Sequence, residues 1–157
     1  MNRIFFDPIS FAIRFVNEMR KRKELITNVP STRRATAIAK LLFSRFMRKR
    51  ELIPEDYILV AVVTTPYEDQ KIARKIAMEI LFGEKTEREG IAPLLTQTIK
   101  PKVILDELED YDITTITELK KIALELSIRM QEINKVSPLD ALKFEYDVKM
   151  RAILGEY

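Results

Sequence analysis

The sequence contains no cysteine, no histidine and no tryptophan, and only three glycines among its 157 residues. Without cysteine and histidine, the common zinc sites, thiol catalysis, Ser-His-Asp triads and histidine acid–base catalysis are all excluded. A Walker A loop or a dinucleotide fingerprint needs closely spaced glycines so that the backbone can approach phosphate. Gly83, Gly90 and Gly155 do not provide that spacing. These absences predict a protein that is not an enzyme and that holds no cofactor.

Carboxylates are the remaining side chains from which a metal site could be built. The candidates for Mg²⁺ or Ca²⁺ ligands are Glu55-Asp56, Glu68-Asp69 and the run Glu107, Glu109 and Asp110. None of them has EF-hand spacing, and acids in the first turn of a helix are already explained by the helix dipole. We therefore predict no metal site.

The composition is that of a folded domain, with 46% hydrophobic and 32% charged residues. The length fits a single domain that spans residues 1–157 and is large enough to bury a core unaided. Nothing in the sequence resembles a signal peptide or an apolar run of about twenty residues. The expectation is a cytoplasmic protein that does not enter the membrane.

Helix-start signals recur along the chain and predict an all-α fold. Asp7-Pro8, Thr65-Pro66 and Ser137-Pro138 each place a capping side chain before a first-turn proline, and Thr115 with Glu118 reads as a capping box. We predict a single orthogonal or antiparallel bundle of six or seven helices, near 8–23, 31–50, 54–64, 66–82, 101–110, 116–134 and 138–153. Residues 84–100 read as an irregular connection between a basic-to-mixed helical part (1–83) and an acidic helical part (101–157).

Apolar residues recur at helical spacing and identify the expected core. The predicted core residues are Ile13, Val16, Leu42, Phe46, Val60, Ile76, Ile80, Leu119, Ile122, Leu126 and Met130.

Charge is divided unevenly along the chain. Residues 1–50 hold 13 basic and 3 acidic residues, whereas residues 51–157 hold 14 basic and 21 acidic residues. A basic surface for an acidic partner such as nucleic acid is one interpretation, and pairing of the two halves within one molecule is the other. On the first interpretation the candidate contacts to an anionic partner are Arg20, Lys21, Arg22, Arg33, Arg34, Arg48, Lys49 and Arg50.

The two C-terminal helices are apolar on more than one side. In 116–134, Leu124 and Ile128 lie away from the main apolar face, and in 138–153, Phe144 and Val148 lie opposite an arc of larger residues. These four residues are the candidate interface, because an uncovered apolar patch is an association site. We predict a homodimer or a docking surface for another domain in 116–154. Alternatively, 84–100 covers this surface and the protein is monomeric.

Part of the chain resembles known helical regions. The stretch 30–42, beginning Pro30-Ser31-Thr32-Arg33, followed by Leu52-Ile53-Pro54-Glu55-Asp56, is similar to the helical lid of MoxR-type AAA+ ATPases. With the continuation from Thr64 to Gln70, the chain also resembles the helical region ahead of the von Willebrand A domain in CoxE-like proteins, which partner those ATPases. The Walker motifs of the ATPase and the metal motif of the von Willebrand A domain are not in this sequence. The resemblance implies an interaction module rather than a catalytic domain.

Together these features predict a non-catalytic helical adaptor that binds a protein, either a MoxR-type AAA+ ATPase or a von Willebrand A domain protein. The alternative function is nucleic-acid binding through the basic half, which predicts affinity that falls steeply with salt.

Overall fold

Six α-helices form within residues 3–83 and 105–154, which are the residues that the computed structural model describes. The helices are α1 (Pro8–Lys21), α2 (Arg34–Lys49), α3 (Pro54–Val63), α4 (Gln70–Phe82), α5 (Ile113–Gln131) and α6 (Pro138–Ile153). Two-residue strands β1 (Arg3–Ile4) and β2 (Glu51–Leu52) pair in parallel, with Ile4 opposite Leu52. The all-α prediction is confirmed. The predicted connection 84–100 lies outside the described residues, and the described part of the predicted helix 101–110 contains only the 3₁₀ turn Leu105–Leu108.

Two predicted helix caps are confirmed. The Asp7 carboxylate accepts hydrogen bonds from the Ile9 backbone N–H (3.1 Å) and from the Ser10 hydroxyl (2.8 Å) at the start of α1. The Ser137 hydroxyl accepts one from the Asp140 N–H (3.1 Å) at the start of α6. In both helices the following proline occupies the first turn, where its missing N–H costs nothing.

Two other predicted caps are wrong. Thr65 does not cap a helix, because its hydroxyl donates back to the Ala61 carbonyl at the end of α3 (2.7 Å) and α4 begins only at Gln70. Thr115 lies inside α5, because the carboxylate of Asp112 accepts from the Thr115 N–H (3.0 Å) and starts the helix at Ile113. In each case a different local hydrogen bond replaces the predicted cap: the Thr65 hydroxyl donates backwards to Ala61, and the Asp112 carboxylate accepts from the Thr115 N–H.

Helix α2 lies at the centre of the fold and contacts α1, α3, α5 and α6. Its buried residues therefore extend around most of the helix, and they include Ile38 and Leu41, which lie on the polar side of a simple two-faced pattern. The small side chains of Ala35 and Ala39 are also fully buried, which lets neighbouring helices approach closely. One hydrophobic core results, with residues from each of the six described helices.

The core prediction is largely confirmed. Of the eleven predicted residues all are buried except Ile80 and Met130, which are partly buried against the edge of the core. Both lie near the ends of their helices, where fewer neighbours cover a side chain.

Asp69 connects two parts of the chain in a way that the sequence pattern does not reveal. Its buried carboxylate accepts hydrogen bonds from the backbone N–H groups of Thr27 (2.7 Å) and Asn28 (2.8 Å), in the loop between α1 and α2. Burial alone would raise the pKa of Asp69, but these hydrogen bonds to the charged form outweigh it and hold the pKa below its ordinary value. The carboxylate thereby fixes the loop against the start of α4.

A buried tyrosine holds the N-terminal segment in place. The Tyr57 hydroxyl accepts a hydrogen bond from the Phe6 N–H (3.1 Å) and donates one to the Phe6 carbonyl. The Tyr57 ring packs edge-on against Phe6 and Phe11, with ring centroids 6.5 and 5.2 Å away. Burial raises the pKa of Tyr57 well above its ordinary value, so the hydroxyl stays protonated and keeps both bonds.

Removal of this hydroxyl tests its contribution. In Tyr57→Phe, the N–H and carbonyl of Phe6 stay buried without their partner, so we expect the free energy of unfolding to fall by about 1–3 kcal/mol. Urea unfolding of the purified chain measures this change. The matched control is Tyr67→Phe, since Tyr67 is 84% exposed and its variant should unfold like the wild type. Equal stability of the two variants would contradict the assignment.

Candidate interaction surface

The basic residues at the end of α1 contact other parts of the same chain. The guanidinium of Arg20 donates to the Pro30 carbonyl (2.7 Å), and that of Arg22 pairs with Glu79 on α4 (2.8 Å). Lys21, which is more exposed, pairs with Glu18 one turn earlier (3.2 Å). These contacts hold the end of α1 against the following loop and α4.

Arg33 and Arg34 lie at the start of α2. Arg34 is partly buried and donates to the Thr64 carbonyl, and its burial lowers its pKa from the ordinary value. Arg33 is exposed but lies close enough to Asp112 to act on it electrostatically. Hydrogen bonds from Thr115, and then the charge of Arg33, hold the pKa of Asp112 below its ordinary range. The first turn of α2 therefore interacts with both α3 and the start of α5.

The third basic cluster, at the end of α2, faces the C-terminal helices. Arg48 pairs with Glu145 of α6, and Lys49 pairs with Asp56 of α3 (2.7 Å). Arg50 adopts a left-handed conformation (φ 64°) that ends α2, and its guanidinium donates to the Asn134 side chain (2.9 Å) between α5 and α6.

The acidic run that contains Glu107, Glu109 and Asp110 lies against α1. The Glu107 carboxylate pairs with Arg14 (3.1 Å), and the Glu107 carbonyl accepts from the Asn17 amide (2.7 Å). A cleft of about 450 Å³ separates the remaining acids of this run from the basic end of α1, where Lys21 and Lys23 line it. The second interpretation of the charge asymmetry, pairing within one molecule, accounts for these contacts.

A charge network with two buried carboxylates joins α6 to the core, and sequence reasoning missed it. The Arg45 guanidinium lies between two carboxylates, 2.8 Å from Asp56 and 3.0 Å from Glu145. Arg48 and Lys49 complete the network, so two carboxylates face three cations. A signal was available in the sequence, because Glu145 falls on the same side of its helix as Ala141 and Val148.

The environment of Asp56 favours its charged form. The side chain is 1% exposed, and desolvation alone would raise its pKa. Hydrogen bonds from Lys49, from the Ile53 N–H (2.9 Å) and from Arg45 outweigh that effect and leave the pKa of Asp56 below its ordinary value. The same carboxylate thus starts α3 and binds the end of α2.

Helix α6 buries its smaller apolar face and exposes its larger one. Its buried residues are Ala141, Glu145 and Val148. Five large apolar side chains on the other side are 37–65% exposed, and we call them the α6 stripe: Leu139, Leu142, Tyr146, Met150 and Ile153. At 3.6 residues per turn these five residues fall within an arc of roughly 80°. A stripe of this kind is typical of a helix that binds a second surface.

Three of the four predicted interface residues are exposed. Leu124 and Ile128, one turn apart on α5, are 62% and 46% exposed. Phe144 is partly exposed and packs edge-on against Phe43 of α2, with ring centroids 5.9 Å apart. Val148 is only 2% exposed, so its placement in an exposed interface is wrong. It lies in the core because the buried face of α6 packs on α2.

A small cleft of about 240 Å³ lies between α5 and α6, and α2 forms its floor. Its apolar lining comes from Phe43, Ile122, Phe144 and Val148, and charged side chains from both C-terminal helices surround it. Among residues 3–83 and 105–154, no three acidic side chains lie together as a metal site would need. No helix in that part of the chain is long and apolar enough to span a bilayer.

Comparisons with known proteins add no identification, since no family model, no curated protein and no solved structure matches this chain. The resemblance to MoxR-associated helical regions therefore stays a prediction.

Replacement of Glu145 tests the network that holds α6. In Glu145→Gln, Arg45 and Arg48 lose a carboxylate that is largely shielded from solvent, so the free energy of unfolding should fall by about 1.5–3 kcal/mol. Backbone amide hydrogen exchange should accelerate more in residues 138–153 than in the other helices. The control Glu132→Gln breaks the exposed pair with Lys135 (3.7 Å), which should change stability by less than about 1 kcal/mol. Unchanged exchange in α6 of Glu145→Gln would contradict this role.

The lowered pKa of Asp56 predicts a pH dependence. The unfolded chain binds this proton more readily, so the contribution of Asp56 is fully present above about pH 4 and is lost as the pH falls through its folded pKa. The stability difference between wild type and Asp56→Asn should therefore stay steady from neutral pH down to about pH 4 and shrink as the pH falls further. Urea unfolding across this range measures it. A difference that stays constant would show that the carboxylate is not selectively stabilised.

Proposed function

We propose that this chain is a non-catalytic helical protein-interaction module whose two C-terminal helices carry the binding surfaces. The observation that supports this proposal is shared by α5 and α6. Each helix packs on α2 with one face and leaves a second set of large apolar side chains exposed. On α5 that set contains Leu124 and Ile128, and on α6 it is the stripe.

The exposed faces are carried by well-fixed helices. In α5 the opposite face, including Leu119, Ile122 and Leu126, is buried in the core. In α6 the charge network around Glu145 holds the helix in one orientation. A rigid helix that displays apolar side chains loses little conformational entropy on binding, which favours protein recognition.

We propose that the partner of the α5 face is a MoxR-type AAA+ ATPase or a von Willebrand A domain protein that works with it. The support is the resemblance of residues 10–83 to helical regions of those systems, together with the lack of a phosphate-binding loop in this sequence. As an adaptor, the chain would supply contact surface while the ATPase supplies nucleotide hydrolysis.

Nucleic-acid binding is supported less well by this structure. Apart from Arg33, the cations proposed for it make hydrogen bonds or ion pairs within the chain, as Arg22 does with Glu79 and Arg48 does with Glu145. For all of them except Lys21, whose exposed pair with Glu18 lies within α1, engaging phosphates would require breaking contacts between different parts of the chain.

Introducing negative charge on the exposed face of α5 tests the proposal. The variant Leu124→Glu/Ile128→Glu places two carboxylates at positions that are exposed in the free chain, so the fold should not change. Its affinity for the purified MoxR-type ATPase of the same organism should fall at least tenfold, which corresponds to about 1.4 kcal/mol. Titration calorimetry measures the affinity, and circular dichroism checks the fold.

The matched control is Leu25→Glu/Tyr67→Glu, which adds the same charges at exposed apolar positions far from α5 in the sequence. It should bind like the wild type. Two results would overturn the proposed partner: no binding of the wild-type chain, or equal weakening by both double variants.

A further inference from the structure

We infer that the α6 stripe binds the same stripe of a second copy of this chain, with the two helices antiparallel and Tyr146 on the two-fold axis. This inference rests on the proposed function, since it takes the C-terminal helices as interaction surfaces. It goes further by naming the occupant of one of them.

The first argument is the symmetry of the stripe. Its members are spaced by three, four, four and three residues, so the pattern is the same in both directions along the helix. In an antiparallel pair centred on Tyr146, Leu139 faces Ile153 of the second copy and Leu142 faces Met150. A two-fold interface requires a surface that is complementary to itself, and this stripe meets that requirement.

The second argument is the charge beside the stripe. Lys143 and Asp147 lie one turn apart on the same edge of the stripe, and both are exposed. An antiparallel pair brings the same edges of the two helices together in opposite directions. Lys143 of each copy then lies near Asp147 of the other, within reach of a lysine side chain, which gives two cross-pairs of opposite charge. Within its own helix, Asp147 forms an exposed ion pair with Arg151 (3.3 Å). The Asp147 carboxylate has two oxygens, so it can bind Arg151 and the second copy's Lys143 at the same time.

The third argument is area. Five large apolar side chains that are 37–65% exposed amount to roughly 500 Å² on each copy, at the upper end of the patches that monomers expose. Two such stripes, together with their polar edges, reach the roughly 1,200 Å² at which stable protein interfaces begin. A second copy of α6 is therefore large enough to cover the α6 stripe and form a stable interface.

Single cysteines test this geometry directly, because the chain has none of its own. The purified variants Tyr146→Cys and Leu139→Cys/Ile153→Cys should form covalent dimers with a short bis-maleimide that spans facing helices about 8–10 Å apart. Leu139→Cys and Ile153→Cys alone should not, because each cysteine then lies about 21 Å along the axis from its equivalent. Lys120→Cys, exposed on α5, is the control and should stay uncross-linked.

Light scattering provides the second measurement. The wild type should have the mass of a dimer, and Leu142→Glu/Tyr146→Glu should have half that mass with an unchanged helical spectrum. A monomeric wild type at high concentration would overturn the inference, as would cross-linking of Leu139→Cys alone, which indicates a parallel pair.

These experiments distinguish failure of the second-copy inference from failure of the proposed function. Leu124→Glu/Ile128→Glu should remain dimeric while it loses the ATPase, whereas the stripe variant should become monomeric. A monomeric wild type that still binds the ATPase through α5 would overturn only the second-copy inference.

Discussion

The position of Arg45 between Asp56 and Glu145 is the interaction on which the arrangement of the C-terminal part depends. It connects α2, α3 and α6 through charged groups that are largely removed from solvent. A charge in such a place is stable only while its partners remain, so all members of the network have to be present together. This requirement fixes the docking of α6 more narrowly than hydrophobic contact alone would, since hydrophobic cores tolerate repacking and lose uniqueness before they lose stability.

The orientation of α6 follows from that network. With Glu145 held against Arg45 and Arg48, the face of α6 that contains Ala141 and Val148 must pack on α2. The larger apolar face is then turned to the outside. Burying the smaller face costs the chain some hydrophobic stabilisation, and the buried ion pairs and the small side chains that allow close packing offset part of this cost. An exposed stripe of large apolar side chains is the consequence, and it is the basis of the proposed function.

Basic residues of the N-terminal part of the chain form ion pairs with acidic residues of the C-terminal part within the same molecule. Arg14 pairs with Glu107 and Arg48 with Glu145, in each case across about ninety residues or more of sequence. Such pairs select one arrangement of the helices over others, because like charges would meet if the halves were docked differently. The surface that remains for partners is distinguished by its exposed apolar faces more than by its charge.

Local patterns in the sequence determined the helices of this protein, whereas the tertiary structure decided what each helix faces. Asp7 and Ser137 could be recognised as caps because they act on N–H groups two or three residues away. Thr65 was ambiguous even locally, since its hydroxyl can instead donate to the Ala61 carbonyl four residues earlier. The periodicity of 138–153 revealed two apolar sides, yet it could not show that the larger side is exposed. That choice depends on Arg45, about a hundred residues away along the chain, and only folding brings it to Glu145.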